Sequence, residues 1–136
     1  MIRVCLDSNV LVAAFAARGL CSDLLAHVLS EQQLVVPDVV REESIRVLST
    51  KFKLSAEALE SVMAVLDRCE AAGAFGEPSP VAVRDPDDEK VLADAVAAGV
   101  QVLVTGDKDL LAVAEHSPIP ILSPRAFMML TRGGTL

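Results

Sequence analysis

Short apolar runs alternate along the chain with longer stretches in which apolar residues recur every three or four positions. The short runs predict strands over residues 2–6, 34–36, 100–104 and 119–122, with Val81-Ala82-Val83 the least regular candidate. The longer stretches predict helices over 9–17 and 22–30, separated by Gly19. Asp38 can cap a helix running to about residue 49, and Ser55 another running to about 72, where Gly73 would end it. Asp85-Pro86 opens a helix to about 98 with proline at its favoured first position, and Gly99 stops it. A short helix opens at Asp107 and a last one at Ser123-Pro124. This alternation predicts an α/β three-layer sandwich, a parallel sheet of about five strands flanked by helices. The loop Glu77-Pro78-Ser79-Pro80 is too short to divide the chain, so residues 1–136 are read as a single domain.

Three of the apolar runs hand off to acidic, turn-like segments. Val4-Cys5-Leu6 leads into Asp7-Ser8-Asn9, Val81-Ala82-Val83 into Asp85-Pro86-Asp87-Asp88, and Val102-Leu103-Val104 into Thr105-Gly106-Asp107-Lys108-Asp109. Acids just past the C-terminal ends of parallel strands lie where α/β folds build their sites. Carboxylates gathered there repel, and a divalent cation relieves the repulsion. An oxygen-only ligand set favours Mg²⁺ or Mn²⁺ over zinc.

Helical periodicity narrows the choice of acids. Asp88 shares a face with Val91, Leu92 and Ala95, whereas Asp87, Glu89, Lys90 and Asp94 fall away from it. A carboxylate in an apolar stripe needs a partner or a metal. Glu43 shares a face with Val39, Val40 and Val47, while Glu42 points elsewhere. Asp7 and Asp107 could equally serve as helix-end charges or caps. The Thr105 hydroxyl could orient a neighbouring carboxylate. His27 and His116 have no partners at metal-binding spacing and are read as structural or solvated. There is no phosphate-binding glycine loop and no nucleophile-elbow serine.

Composition adds limits. The chain is 52% apolar, with four Phe and no Trp or Tyr, so the core should be aliphatic and aromatic base-stacking platforms are not expected. The formal charge of −7 argues against a broad basic face for nucleic acid. No apolar stretch approaches the length that spans a bilayer and no signal-peptide layout is present, so no membrane association and a cytoplasmic location are expected. Cys5, Cys21 and Cys69 fit free, buried thiols.

Asp7, Glu43, Asp88 and Asp107, in that order and at those intervals, resemble the PIN domain family. The likeness is carried by VCLDSNVLV, VVREESIRVL, RDPDDEKVLADA and VLVTGDKDLL and covers nearly the whole chain. In flavour the sequence is similar to small bacterial PIN proteins described as VapC-like toxin components of toxin–antitoxin pairs. The resemblance implies Mg²⁺- or Mn²⁺-dependent cleavage of RNA, with Asp7, Glu43, Asp88 and Asp107 as the acidic metal site and Asn9, Thr105 and Asp109 in support. Asp85 and Asp87 are secondary. It also implies a cognate antitoxin and leans toward a homodimer.

Two other readings compete. A Mg²⁺-dependent phosphatase or phosphotransfer domain would want a second acid two residues after Asp7, where Asn9 stands. A non-catalytic binding module would use the acids without turnover. Lys108 and Arg18 are the candidates for contacting phosphate. Self-association is expected from apolar helix surface left over at Leu24, Leu25, Val28 and Leu29, and at Phe127, Met128, Met129 and Leu130.

Overall fold

A computed structural model describes residues 1–132. Its strands are β1 (Arg3–Leu6), β2 (Gln33–Pro37), β3 (Glu70–Ala72), β4 (Val102–Val104) and β5 (Ile121–Leu122). They form one parallel sheet in the order β3-β2-β1-β4-β5. The helices are α1 (Ser8–Ala16), α2 (Leu20–Glu31), α3 (Asp38–Thr50), α4 (Ala56–Asp67), α5 (Pro86–Ala97), α6 (Lys108–Leu111) and α7 (Pro124–Arg132), with a 3₁₀ turn at Ala114–His116.

The central strand reads apolar without alternation because both its faces are covered: Val4, Cys5 and Leu6 are buried, as are Leu103 and Val104 beside them on β4. From β1 the chain adds β2 and β3 on one side, then returns to lay β4 and β5 on the other. The direction of winding therefore reverses between β1 and β4, and the crevice at their C-terminal ends is the place where such sheets accept ligands. Register carries that edge forward. Leu6 pairs with Val104, and the Asp7 amide donates to the Val104 carbonyl at 2.9 Å.

The core is aliphatic, as composition predicts. Among the described residues the largest fully buried side chains are leucines, with Phe127 the one aromatic. His27 stands edge-on to Phe127, ring centroids 6.3 Å apart, which gives this histidine a structural role. No single helix among the described residues is long and apolar enough to cross a membrane.

The structure corrects four local expectations. First, α4 stops at Asp67, and Glu70–Ala72 forms the edge strand β3 instead of a further helical turn. Tertiary contacts override alanine's helix preference here: Val36 pairs with Ala71, and Glu70 accepts from Arg3 Nη1 at 2.6 Å and Gln33 Nε2 at 2.7 Å. Second, residues 81–83 form no strand. The Val83 amide donates to Glu89 Oε2 at 2.9 Å, which ties this segment to the first turn of α5. Third, the N-cap of α3 is Pro37, and Asp38 is the first helical residue. Fourth, Leu24, Leu25, Val28 and Phe127 complete the core where α2 meets α7, leaving Leu29, Met129 and Leu130 exposed.

Candidate active site

Asp7 directly follows β1 and caps α1. Its side chain is 2% exposed, yet well supplied with donors. Oδ1 accepts from the Ser8 amide at 2.8 Å, and Oδ2 accepts from Thr105 Oγ1 at 2.8 Å and Asn9 Nδ2 at 3.1 Å. Burial still pushes its pKa up against these hydrogen bonds, with help from the charges of Glu43 and Asp107.

Thr105 is fully buried and joins the two strand ends. Its hydroxyl donates to Asp7 and accepts from the Asp107 amide at 2.9 Å. Asn9 closes the frame from the other side, its Oδ1 accepting from the Gly106 amide at 3.1 Å. Asp107 caps α6, with Oδ1 accepting from the Asp109 amide at 2.7 Å.

α5 brings the remaining acids. Asp85 caps it, accepting from the Asp87 amide at 2.8 Å. One turn in, Asp88 lies beside the buried Val91, Leu92 and Ala95, as the helical face predicts. Its Oδ2 is buried without a hydrogen-bond partner among the described residues. Its pKa is pushed up to about 7, first by burial, then by the Asp107 carboxyl group close beside it and by the charges of Asp107, Asp7 and Asp85. Oxygens of Asp85, Asp88 and Asp109 lie within 4.8 Å of one another.

Asp7, Glu43, Asp88 and Asp107 line one crevice of about 450 Å³ together with Asn9, while Glu42 borders a separate hollow between α3 and α4. A neighbouring hollow of about 630 Å³ shares Asn9 and Asp107 and adds Lys108 and Asp109. Arg18 sits exposed in the turn between α1 and α2 and lines neither. Asp87 is exposed.

Sequence reasoning ranked Asp85 low, although its carboxylate converges with those of Asp88 and Asp109. It also missed Lys51 and Phe52, which line the crevice wall. The signal was available for Lys51, which follows Glu43 and Val47 at four-residue intervals. Asp94, read as facing away, is 3% exposed. The 74–79 segment lies against that other side of α5.

The donor set is oxygen-only, and it includes a buried carboxylate oxygen with no partner facing further carboxylates. A hard divalent cation satisfies such an atom, so the residues fit Mg²⁺ or Mn²⁺.

A family profile described as PIN domain matches residues 3–109. The fold is similar to the crystal structure of VapBC2 from Rickettsia felis bound to a DNA fragment from their promoter, at 17% identity over 89% of this chain and 97% of that chain, TM-score 0.62. It is similar to Mycobacterium tuberculosis VapC20, a Sarcin-Ricin loop cleaving toxin, at 13% identity over 81% and 94% of the two chains, TM-score 0.61. DNA-bound VapBC from Salmonella typhimurium aligns at 18% identity over 91% and 99%, TM-score 0.59. At these identities the likeness is one of fold. No curated protein matches the sequence.

Proposed function

The chain belongs to the PIN domain family, and on that premise we propose that it is a divalent-metal-dependent endoribonuclease, the toxin of a toxin–antitoxin pair. The observation that carries this reading is the convergence of four acids from four separate elements around a buried Asp88 oxygen that has no hydrogen-bond partner among the described residues. Folding alone gains nothing from that arrangement, because like charges gathered in a crevice are repulsive.

When bound, Mg²⁺ or Mn²⁺ lowers the pKa of a coordinated water and offsets charge on the phosphate under attack. The chain's own residues supply the placement. Asp7, Asp88 and Asp107 would hold the cation, with Asp85 and Asp109 alongside. Thr105 and Asn9 lock the Asp7 carboxylate in one orientation, so no side-chain freedom is lost when a ligand arrives. Glu43, reaching in from α3, would complete the acidic ligand set or orient water beside it. Lys108 stands exposed on the rim, where it can meet phosphate.

Incubation of labelled RNA with the protein in Mn²⁺ and in EDTA tests the reading. Cleavage in Mn²⁺ alone is expected, and RNA left intact in both would overturn it. A sharper test uses neighbours on α5. Asp88→Asn should cost roughly 10²-fold or more in rate, because it alters a group facing the crevice. Asp87→Asn should stay within about threefold of wild type, as surface changes do. Equal loss in both would remove the helical face as the basis for choosing Asp88.

The reading extends to assembly. The likeness in fold to VapBC structures supports this extension, and we propose a cognate antitoxin for this chain and a homodimer. Leu29 on α2 and Met129 on α7 remain exposed after the core is complete. Light scattering during gel filtration should give a mass near two chains, and one chain's mass at every concentration would refute the dimer.

A further inference from the structure

The acidic crevice has one wall of opposite character. Glu43, Val47 and Lys51 follow each other up one face of α3, and all three line the crevice, with Phe52 directly after them. The chain here reads Lys51-Phe52-Lys53, a basic–aromatic–basic triplet in a protein of net charge −7. A tight turn fixes its shape. The Phe52 amide bonds back to the Val47 carbonyl at 3.3 Å, and the Leu54 amide to the Leu48 carbonyl at 3.1 Å. Between them Lys53 has φ of 50°, the one positive value among the described non-glycine residues. Side-chain-bearing residues hold that conformation where the surroundings impose it.

The turn tucks Leu54 against the core and leaves Phe52 51% exposed, facing the crevice. The other phenylalanines are placed differently. Phe127 is buried, Phe15 packs against the core, and Phe75 lies exposed in the segment after β3, outside the crevice. Composition suggested that aromatic platforms would be absent, but a single ring beside the acids is enough for one base.

We propose that Phe52 is a stacking platform for one unpaired nucleobase and that Lys51 contacts an adjacent phosphate, so that the site selects single-stranded over duplex nucleic acid. The proposal rests on the nuclease reading and deepens it. A phosphate backbone is repelled by a carboxylate-lined crevice. Stacking carries no such penalty, and it accepts any base because every base has a π face. A paired base inside a duplex has both faces covered by its neighbours, so it offers nothing to Phe52. Stacking does not read the 2′-hydroxyl, so single-stranded DNA should occupy the platform as well.

The chain contains no tryptophan, so Phe52→Trp puts a single indole on the platform. The measurement uses this variant in an Asp7→Asn background with Mg²⁺, titrated with a short single-stranded oligoribonucleotide, its DNA counterpart and the RNA duplex. Both single strands should quench the indole, and the duplex should not. Fluorescence anisotropy with labelled oligoribonucleotide should show Phe52→Leu binding roughly 10-fold or more weakly than Phe52→Trp. Lys51→Gln should lower the slope of log affinity against log salt by about one. Single-stranded RNA that binds by anisotropy yet leaves the indole unchanged would overturn the proposal, as would equal binding by the Leu and Trp variants. Wild-type protein that neither binds nor cuts any RNA would sink the nuclease reading together with this one. RNA cleavage by wild type without indole quenching would sink the platform alone.

Discussion

Asp7→Asn should lower metal-dependent RNA cleavage by roughly 10³-fold or more, equivalent to about 4 kcal/mol of transition-state stabilisation, while leaving the fold standing. Asp7 is the most constrained acid of the site, 2% exposed and held by Ser8, Asn9 and Thr105. Asparagine has nearly the same shape and can still accept from the Ser8 amide, so α1 keeps its cap. What it loses is the negative charge that a cation needs, together with the acceptor that Oδ2 offers Thr105 and Asn9. It also loses the unfavourable burial of that charge, which holds the Asp7 pKa up in the folded protein. The metal-free variant should therefore melt no lower than wild type. Initial cleavage rates at saturating Mn²⁺, together with circular dichroism melts, check both halves. A variant cutting within tenfold of wild type would take Asp7 out of the site, and one melting far below wild type would make its role structural.

The second large effect is on stability. Without metal, the protein should be more stable near about pH 5 than near about pH 8. Asp88 rises from its ordinary 3.8 to about 7 on folding, and Asp7 moves in the same direction. A raised acid pKa means the folded state holds its proton more tightly than the unfolded chain does. Stability is therefore lost as pH climbs from the unfolded value through the folded one, and levels off above it. Glu70 behaves oppositely, lowered by its hydrogen bond and charge pairing with Arg3, but its contribution disappears only as pH falls below its ordinary 4.5. The groups facing the crevice are Asp7, Glu43, Asp88 and Asp107, with Lys51 the one cation among them. Mn²⁺ should raise the melting temperature beyond what matched monovalent salt achieves, most strongly near pH 8, because metal and protons compete for the same oxygens. At a hundredfold excess over its Kd, a ligand of the native state adds about 2.7 kcal/mol. Thermal melts across pH, with and without Mn²⁺, decide the matter. Asp88→Asn should flatten the metal-free pH trend. A flat wild-type profile, or a melt indifferent to millimolar metal, would contradict a shared acidic pocket.

Sequence made the sheet's centre and much of the crevice legible, because both depend on strong local signals. Strands buried on both faces appear as unbroken apolar runs, and β1, β2 and β4 fall where such runs predict them. Asp7 and Asp107 stand out at strand ends, and Asp88 and Glu43 stand out because each shares its helical face with apolar residues. The edge strand β3 carries no such signal. Glu70-Ala71-Ala72 looks like a helix, and only its pairing with β2 and the Arg3–Glu70 contact make it extended. Residues 81–83 fail in the opposite sense, apolar in sequence but drawn onto α5 by Glu89. Asp85-Pro86 is legible as the opening of α5, but nothing local reveals that the Asp85 carboxylate also meets Asp109 from another element. Asp94 escaped for a related reason, since α5 is covered on a second side by the 74–79 segment.

The strand order has a consequence for synthesis. β1 emerges from the ribosome first, yet it lies in the middle of the sheet and waits for β4 to cover one flank. The acids of the crevice are spread from Asp7 to Asp107, and Thr105, which fixes Asp7, comes almost as late. A nascent chain shorter than that has no crevice, whatever local helices it has formed. The crevice is therefore complete only once β4 has docked against β1 and brought Thr105 and Asp107 to Asp7.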